Sequence, residues 1–487
     1  MKVLSLLSNK VLLYLVSRYF TYFIQFVTSL IIAVKLGPYY MGIWGFVLLV
    51  LNYFQQCNFG ISYSFPVFYV HYKEDNEKID GYLVNSLLLI GVLCFLISFL
   101  FIYYFIFGIA VFDKYHLQGY AFWVLVIAIL QHYQSFFIQL FRVKNRFFSV
   151  AFCQSIVVIL NFICVFFFEG ENLIRALIAG YVLGLLMCVL LFFIYKDLPD
   201  LKSIKFSFII QKEILKKGFF LFLYGSCFYF IVITIRTIVS AYYTVEEFGL
   251  FTFSFTLAHA ILLLLEAVSF LIAPKLLSKL SSNDSVELIE TISSIRMLFI
   301  TSAHFLIYVA LILFPLLIEF FPKYLNALTS LNLIAVSILA NSNVMGYAEL
   351  LIAKNQERTL SKLAFCALLV NCTIGYLFVK LLHVSFDYVI LATMIAYIIY
   401  SFSVMWNGEK IIHKRIYKSD VPSLLIRYFP LRLLLPYVSS VVVSIMQLGS
   451  VFMIIPLLLF LTLNVTLYSP MKDTILKILH KPEVVNV

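Results

Sequence analysis

Charge is what this sequence has least of. Asp, Glu, Lys and Arg make up only 12% of its 487 residues, about half the roughly 25% of a soluble domain. That is too little to cover a water-facing surface. Also missing is the in-out alternation of outer-membrane strands, which come in segments of about 10 residues. The apolar runs here are long and continuous, which argues against a barrel. Catalytic spacings are absent too: there is no Gly-rich phosphate cradle, H-E-x-x-H or G-x-S-x-G, so neither an ATPase nor a hydrolase is expected. The eight cysteines (Cys57, Cys94, Cys153, Cys164, Cys188, Cys227, Cys366, Cys372) form no C-x-x-C pair and have no histidine at metal-ligand spacing. They read as small buried hydrophobes, and no cofactor or metal is expected.

What is present is hydrophobicity: 63% of the residues are apolar and mean hydropathy is +1.02. Runs able to cross a bilayer, about 20 residues each, recur at 11–34, 41–70, 83–108, 121–141, 148–168, 174–195, 218–242, 248–273, 297–321, 328–353, 363–382, 388–408, 429–447 and 451–468. The expected architecture is an all-α polytopic membrane protein of about 14 transmembrane helices. The opening MKVLSLLSNKVLLYLV mimics a signal peptide, but Arg18 follows, no small-residue cleavage site appears, and apolar character resumes through Val34. It reads as a retained first helix.

With both termini in the cytoplasm, 28 of the 35 Lys and Arg fall in cytoplasmic segments. Five lie in outer loops (Lys35, Lys114, Arg175, Lys323, Lys380) and two, Arg18 and Arg236, within spans. Lys and Arg concentrate on the cytoplasmic side of membrane proteins, and one missed or invented span would invert every later loop. The net charge of +11 is therefore a topology signal, not a nucleic-acid footprint. Outer loops are all short; the longer inner ones, 196–217, 275–296 and 409–432, read as amphipathic or solvated connectors.

AVKLGPYYMGIWGF (Ala33–Phe46) and AYYTVEEFGLFTFSF (Ala241–Phe255) make the same abrupt turn between apolar runs. A shift of 207 residues lays Gly42 on Gly249, Ile43 on Leu250, Trp44 on Phe251 and Phe46 on Phe253, with Pro66 one residue out of register with Pro274. Spans 1–6 and 7–12 then form two pseudo-symmetric six-helix lobes, an N-lobe over 1–195 and a C-lobe over 218–408. A cytoplasmic linker over 196–217 joins them. A second linker over 409–432 leads to helices 13 and 14 and a cytoplasmic tail over 433–487, where Pro436 and Pro456 suggest kinks. Six being even, the lobes share one orientation, a parallel repeat of the kind transporters use.

LGPYYMGIWGF followed by polar NYFQQCNFG is similar to the first helix pair of polysaccharide-export flippases. VEEFGLFTFSFTLAHAILLLLEAVSFLIAPKL resembles their seventh-to-eighth-helix segment, and FRVKNRF (Phe141–Phe147) and LFPLLIEFFPKY (Leu313–Tyr324) fit the same pattern. Over about residues 10–410 the chain thus resembles the polysaccharide biosynthesis or O-antigen flippase family of the multidrug/oligosaccharidyl-lipid/polysaccharide exporter superfamily. The resemblance implies transfer of a polyprenyl-diphosphate-linked oligosaccharide from the inner to the outer leaflet of a bacterial cytoplasmic membrane, without catalysis. Membrane lipids are implied partners, as are a polysaccharide polymerase and its chain-length machinery; nucleic acid is not.

Ionisable groups inside a membrane cost several kcal/mol and tend to face cavities or partners. Arg18 lies seven residues into span 1, and Glu266 seven residues before the end of span 8; both are roughly 10 Å from the cytoplasmic side at 1.5 Å per residue. Because spans 1, 2, 7 and 8 line the cleft in the superfamily, the resemblance implies a gating pair; separate snorkelling is the alternative. Arg236, near the outer end of span 7, offers a planar guanidinium suited to diphosphate oxygens; the alternative is snorkelling or a local pair. Asn52, Gln55 and Gln56 fall at i, i+3 and i+4 on one face of span 2, fit either for sugar hydroxyls or for helix packing. The same choice holds for Gln131, Gln134, Asn341 and Asn343. His132, His259, His304 and Glu266 are the groups able to carry a coupling proton, or else are satisfied core groups. Glu319 and Glu349, near span ends, are expected to be structural and to reach headgroups.

Two rivals share this architecture: a flippase for the lipid-linked peptidoglycan precursor, which should hold more cavity arginines, and a drug/cation antiporter. The antiporter needs a buried acid in the first lobe, and spans 1–6 contain no Asp or Glu. A membrane polymerase or ligase, the enzymatic alternative, needs a large outer loop.

Overall fold

The computed structural model describes residues 10–72, 74–108, 110–195, 206–282, 284–413, 424, 426 and 428–465, and among these every regular element is a helix. Ten helical stretches among the described residues are long and apolar enough to cross a membrane, and Leu431–Ile445 and Val451–Leu463 are shorter apolar helices. Residues 196–205 and 414–423 of the two linkers, and the tail from 466, lie outside the described residues. Large apolar side chains point outward, among them Phe95, Phe107, Phe148 and Phe167. In lipid such a surface carries no penalty, whereas unpaired backbone groups do, which favours helices.

The chain divides into two compact units, one of residues 1–229 with 240–252, the other of 230–239 with 253–487. The first holds α1 (Lys10–Gln55), α2 (Ile61–His71), α3 (Asn76–Phe107), α4 (Ala110–Lys114), α5 (Ala121–Val143), α6 (Phe147–Phe167), α7 (Gly170–Ile194), most of α8 (Phe208–Tyr242) and the start of α9 (Val245–Leu280). Its core is aromatic: Phe65, Phe136, Phe137, Phe141, Phe192 and Tyr82 cluster between α2, α3, α5 and α7, with the Phe137 and Phe192 rings stacked at 4.1 Å.

The two aligned turns use different chemistry. In the first, helical conformation breaks at Gly37 alone (φ 65°, ψ 173°), followed by Pro38. In the second, Thr244 and Glu247 form a reciprocal cap, Glu247 Oε2 accepting from the Thr244 N–H at 2.8 Å and Thr244 Oγ1 from the Glu247 N–H at 3.2 Å. This is the capping box that T-x-x-E encodes. The repeat-related glycines meet: a Cβ on Gly249 would lie 1.8 Å from Pro38 O and one on Gly42 2.1 Å from Val245 O. Lys114 Nζ donates to the carbonyls of Ser240 (2.8 Å) and Tyr243, and the Tyr115 hydroxyl to Ser240 O at 2.9 Å. A cation is thereby set on the C-terminal carbonyls of α8, where the helix dipole favours it. Burial holds the Lys114 pKa below its ordinary value, with the Glu247 carboxylate pulling the other way.

The second unit holds the end of α9 with α10 (Ser285–Glu319), α11 (Leu328–Ser342), α12 (Tyr347–Ala353), α13 (Glu357–Lys380), α14 (Ile390–His413), α15 (Leu431–Ile445) and α16 (Ile454–Leu463). Helix α11 is its core element, with Ser330 to Ala340 buried without interruption. Buried Asn371 on α13 donates from Nδ2 to Ile231 O at 2.7 Å and accepts from Thr393 Oγ1 at 3.1 Å, tying α8, α13 and α14 together.

Several expectations change. Of the two readings of the 275–296 connector, residues 285–296 take the amphipathic one: they are the first turns of α10, with Leu288 and Ile292 buried, started by Asp284, whose Oδ1 accepts from the Val286 N–H at 2.9 Å. Hydropathy marks where lipid ends, not where a helix does. Residues 208–217 and 409–413 are helical for the same reason. Cys94, Cys153, Cys188 and Cys227 are buried, but Cys366 is exposed on an outward face of α13. Pro456 sits in the first turn of α16, where its missing N–H breaks no bond, so it produces no kink. Glu349 turns inward to accept from the Gly346 N–H at 2.7 Å and caps α12.

Candidate functional site

Within the first unit, the second predicted span is interrupted. Helix α1 ends at Gln55, a short 3-10 turn covers Gln56–Asn58, and Phe59 (φ 48°) and Gly60 (φ 81°) are both left-handed before α2 begins. Asn58 Oδ1 accepts from the Gly60 N–H at 2.8 Å. The break is held by close backbone approach, a Cβ on Gly60 falling 2.7 Å from Gly218 O and one on Gly218 2.5 Å from Gly60 O. Non-helical backbone at membrane depth survives only where protein or a water-filled cavity surrounds it.

Asn52, Gln55 and Gln56 therefore straddle a helix end rather than sharing one continuous face. Gln56 Oε1 accepts from Ser226 Oγ at 3.2 Å and works as interhelical glue. Among the described residues no such bond ties Asn52 or Gln55, and Gln55 is exposed. Gln134 in α5 donates to Cys153 O at 2.6 Å, again a packing role. Arg18 is partly buried on α1, its Nε donating to the Tyr22 hydroxyl at 3.0 Å and its guanidinium lying 4.4 Å over that ring.

In the second unit the structure brings Arg236 and His259 together on one ring. Arg236 is buried, with its guanidinium 5.0 Å from the Phe255 centroid. The His259 imidazole stacks on Phe255 at 3.8 Å, and its Nδ1 lies 2.9 Å from Phe255 O. A cation beside an aromatic face gains more once desolvated. The ring of Phe255 on α9 thus gathers a permanently charged guanidinium from α8 and an imidazole one turn further along α9. His304 lies elsewhere, fully buried, 2.8 Å from the Tyr308 hydroxyl and stacked near Phe429 and Phe460, so it packs α10 against the terminal helices. The Glu266 side chain lies outside the described residues.

Sequence reasoning missed Arg296. Its guanidinium collects the carbonyls of Asn343, Met345 (3.3 Å) and Tyr428 (3.5 Å) and lies 4.9 Å over Tyr347. The Tyr347 hydroxyl donates to buried Glu409, which also meets His413 at 3.2 Å. The only signal available was a long cation at the edge of an apolar run, which read as a loop charge.

The sequence model of the polysaccharide biosynthesis protein family matches residues 7–270. The structure is similar to the lipid II flippase MurJ in an inward closed conformation, with TM-score 0.67 and 17% identity over 95% of this chain and 99% of that one. It is also similar to an inward-facing multidrug resistance MATE family transporter of the MOP superfamily (TM-score 0.64, 14% identity, 82% of this chain and 98% of that one). A MOP superfamily transporter from Pyrococcus furiosus aligns at TM-score 0.53 and 15% identity over 83% and 96%. At such identities the likeness is one of fold. No curated protein sequence matches the chain. These observations define a multi-span helical membrane protein with the fold of MOP-superfamily transporters. The chain belongs to the polysaccharide biosynthesis protein family.

Proposed function

We propose that this protein is a flippase that carries a polyprenyl-diphosphate-linked oligosaccharide, the repeat unit of an O-antigen, capsule or exopolysaccharide, from the inner to the outer leaflet by alternating access. It would act in the bacterial cytoplasmic membrane with both termini inside, through fourteen spans arranged as two six-helix lobes and a terminal pair. A polysaccharide polymerase and chain-length machinery would take the product. The observation that carries this reading is the buried Arg236 stacked on Phe255 in a chain whose family makes polysaccharides. A guanidinium matches diphosphate oxygens with two parallel hydrogen bonds, and the broken span beside Asn52 and Gln55 supplies amides for sugar hydroxyls. Arg18, His259 and Glu266 would act as gating or coupling groups, while the contacts of His304 favour the packing alternative.

The test is mass spectrometry of polyprenyl-linked lipids from cells depleted of the protein. A polyprenyl diphosphate bearing an oligosaccharide should accumulate. Arg236→Ala should lower surface polysaccharide while the protein still inserts; normal export would remove Arg236 from the site. The likeness to the lipid II flippase favours one second reading, in which the peptidoglycan precursor accumulates instead. An unchanged pool would sink both and leave drug efflux, suggested by the likeness to a multidrug resistance transporter, as the assay to run.

A further inference from the structure

A cavity of the first unit lies away from Arg18 and the broken span, neither of which lines it. It is an open pocket of about 1130 Å³ where three inter-helix turns converge, those before α1 residue Tyr39, before α5 and before α7. All three are turns that the Lys and Arg distribution assigns to the outer side. Tyr39, Tyr120 and Trp123 form aromatic walls; Asp113, Gln118, Glu171 and Arg175 bring polar groups among them.

These polar groups are held in place. Gln118 Nε2 donates to Asp113 Oδ1 at 2.6 Å, Arg175 Nη2 to Glu171 Oε1 at 2.7 Å, and the Tyr39 hydroxyl lies 3.2 Å from His116 Nε2. His116 itself is left-handed (φ 51°), a strained conformation of the kind that clusters at binding sites. After those bonds each group keeps hydrogen-bonding capacity: the amide oxygen of Gln118, the second oxygens of Asp113 and Glu171, the remaining guanidinium N–H groups of Arg175 and the indole N–H of Trp123. Trp123 is 48% exposed and Tyr39 38%, so part of each ring is open to a ligand.

Lining composition narrows the ligand. Two carboxylates against one guanidinium leave a formal charge of −1 with His116 neutral, which repels a phosphate or diphosphate. A purely apolar guest would strand the polar edge without partners. A ligand with flat apolar faces and a rim of hydroxyls, both donors and acceptors, meets every requirement. We infer that this pocket is a glycan-binding site, taking one or two neutral sugar rings against Trp123 and Tyr39 and excluding the charged lipid anchor. The inference rests on the reading that the cargo carries a glycan, and it adds a docking place for that glycan outside the membrane.

The experiment uses full-length protein in nanodiscs on an array of defined bacterial-type oligosaccharides, with inorganic pyrophosphate and tetraphenylphosphonium as charged competitors. Wild type should bind at least one neutral glycan. Trp123→Ala and Gln118→Ala, both at exposed positions, should each weaken it at least about tenfold, the factor that 1.4 kcal/mol commands, and neither competitor should displace it. An array with no bound glycan overturns the proposal, as does binding unchanged in both variants or displacement by tetraphenylphosphonium, which would mark a cation site. Lipid accumulation on depletion is read separately. An unchanged lipid pool with intact array binding sinks the flippase and keeps the pocket; accumulation with a blank array does the reverse.

Discussion

Gly249→Ala is the sharpest perturbation the structure offers. The added methyl would stand 1.8 Å from Pro38 O and within contact of the Gly42 amide, where ordinary contact begins near 3.4 Å. Pro38 O is backbone and cannot swing aside, so the seam must open by roughly 1.5 Å. A gap of 0.5–1 Å already forfeits a quarter to a half of a dispersion well, and Gly42 on Val245 and Gly45 on Thr252 share the seam. Overpacking of this kind costs about 3 kcal/mol, against a gain of roughly 1 kcal/mol for replacing a helical glycine. The net loss is about 2 kcal/mol. Gly225→Ala is the control, because nothing lies within 4 Å of a Cβ there; it keeps the helical gain alone. The two alanines should differ by about 3 kcal/mol, or about 6 °C at roughly 2 °C per kcal/mol. The assay is the apparent melting temperature in detergent, read as loss of the monodisperse chromatographic peak at a fixed heating time, since unfolding will be irreversible. A Gly249→Ala protein that melts with or above Gly225→Ala would refute the seam.

Three further outcomes are expected. Asn371→Ala leaves Ile231 O and the Thr393 hydroxyl without their partner, which should cost about 1–3 kcal/mol; a melting temperature equal to wild type would discount that node. If Arg18 and Glu266 pair as the resemblance implies, the export lost in Arg18→Glu and in Glu266→Arg should return in the double reversal; failure of the double reversal would leave them as independent interface anchors. Because burial lowers the Lys114 pKa, the unfolded chain binds that proton more tightly, so this group adds stability as pH rises through its lowered value towards the ordinary one near 10.4. Lys114→Met should flatten the alkaline rise of melting temperature, and parallel profiles would count against it.

Much of the fold was legible because lipid imposes a length and a composition on each span. Hydropathy placed both ends of α5, α6 and α7 closely and the end of α3, whose start at Asn76 lies in the polar stretch ahead of the apolar run. It missed the interruption at Gln56–Gly60 because the cause is tertiary: Gly60 is seated against Gly218, far along the chain. The glycine pairing of Gly42 with Gly249 was visible only as an alignment, and its meaning as a contact needed coordinates. Arg236 and His259 each stood out as polar letters in an apolar run. Their meeting on Phe255 could not be read from Arg236's own helix, because α8 and α9 are separate elements joined by a turn. Arg296 was illegible because its partners are main-chain carbonyls, which leave no trace in composition.

That arginine also sets a clock. Tyr428, the last carbonyl it binds, is 132 residues further along the chain. At a synthesis rate of about 5–20 residues per second, roughly 7–26 seconds separate the two at the ribosome. Through that interval the nascent chain carries a guanidinium on α10 with its coordination incomplete. A ribosome stalled between those points would leave that arginine half-coordinated, so this site is completed only when synthesis reaches the residues just before α15.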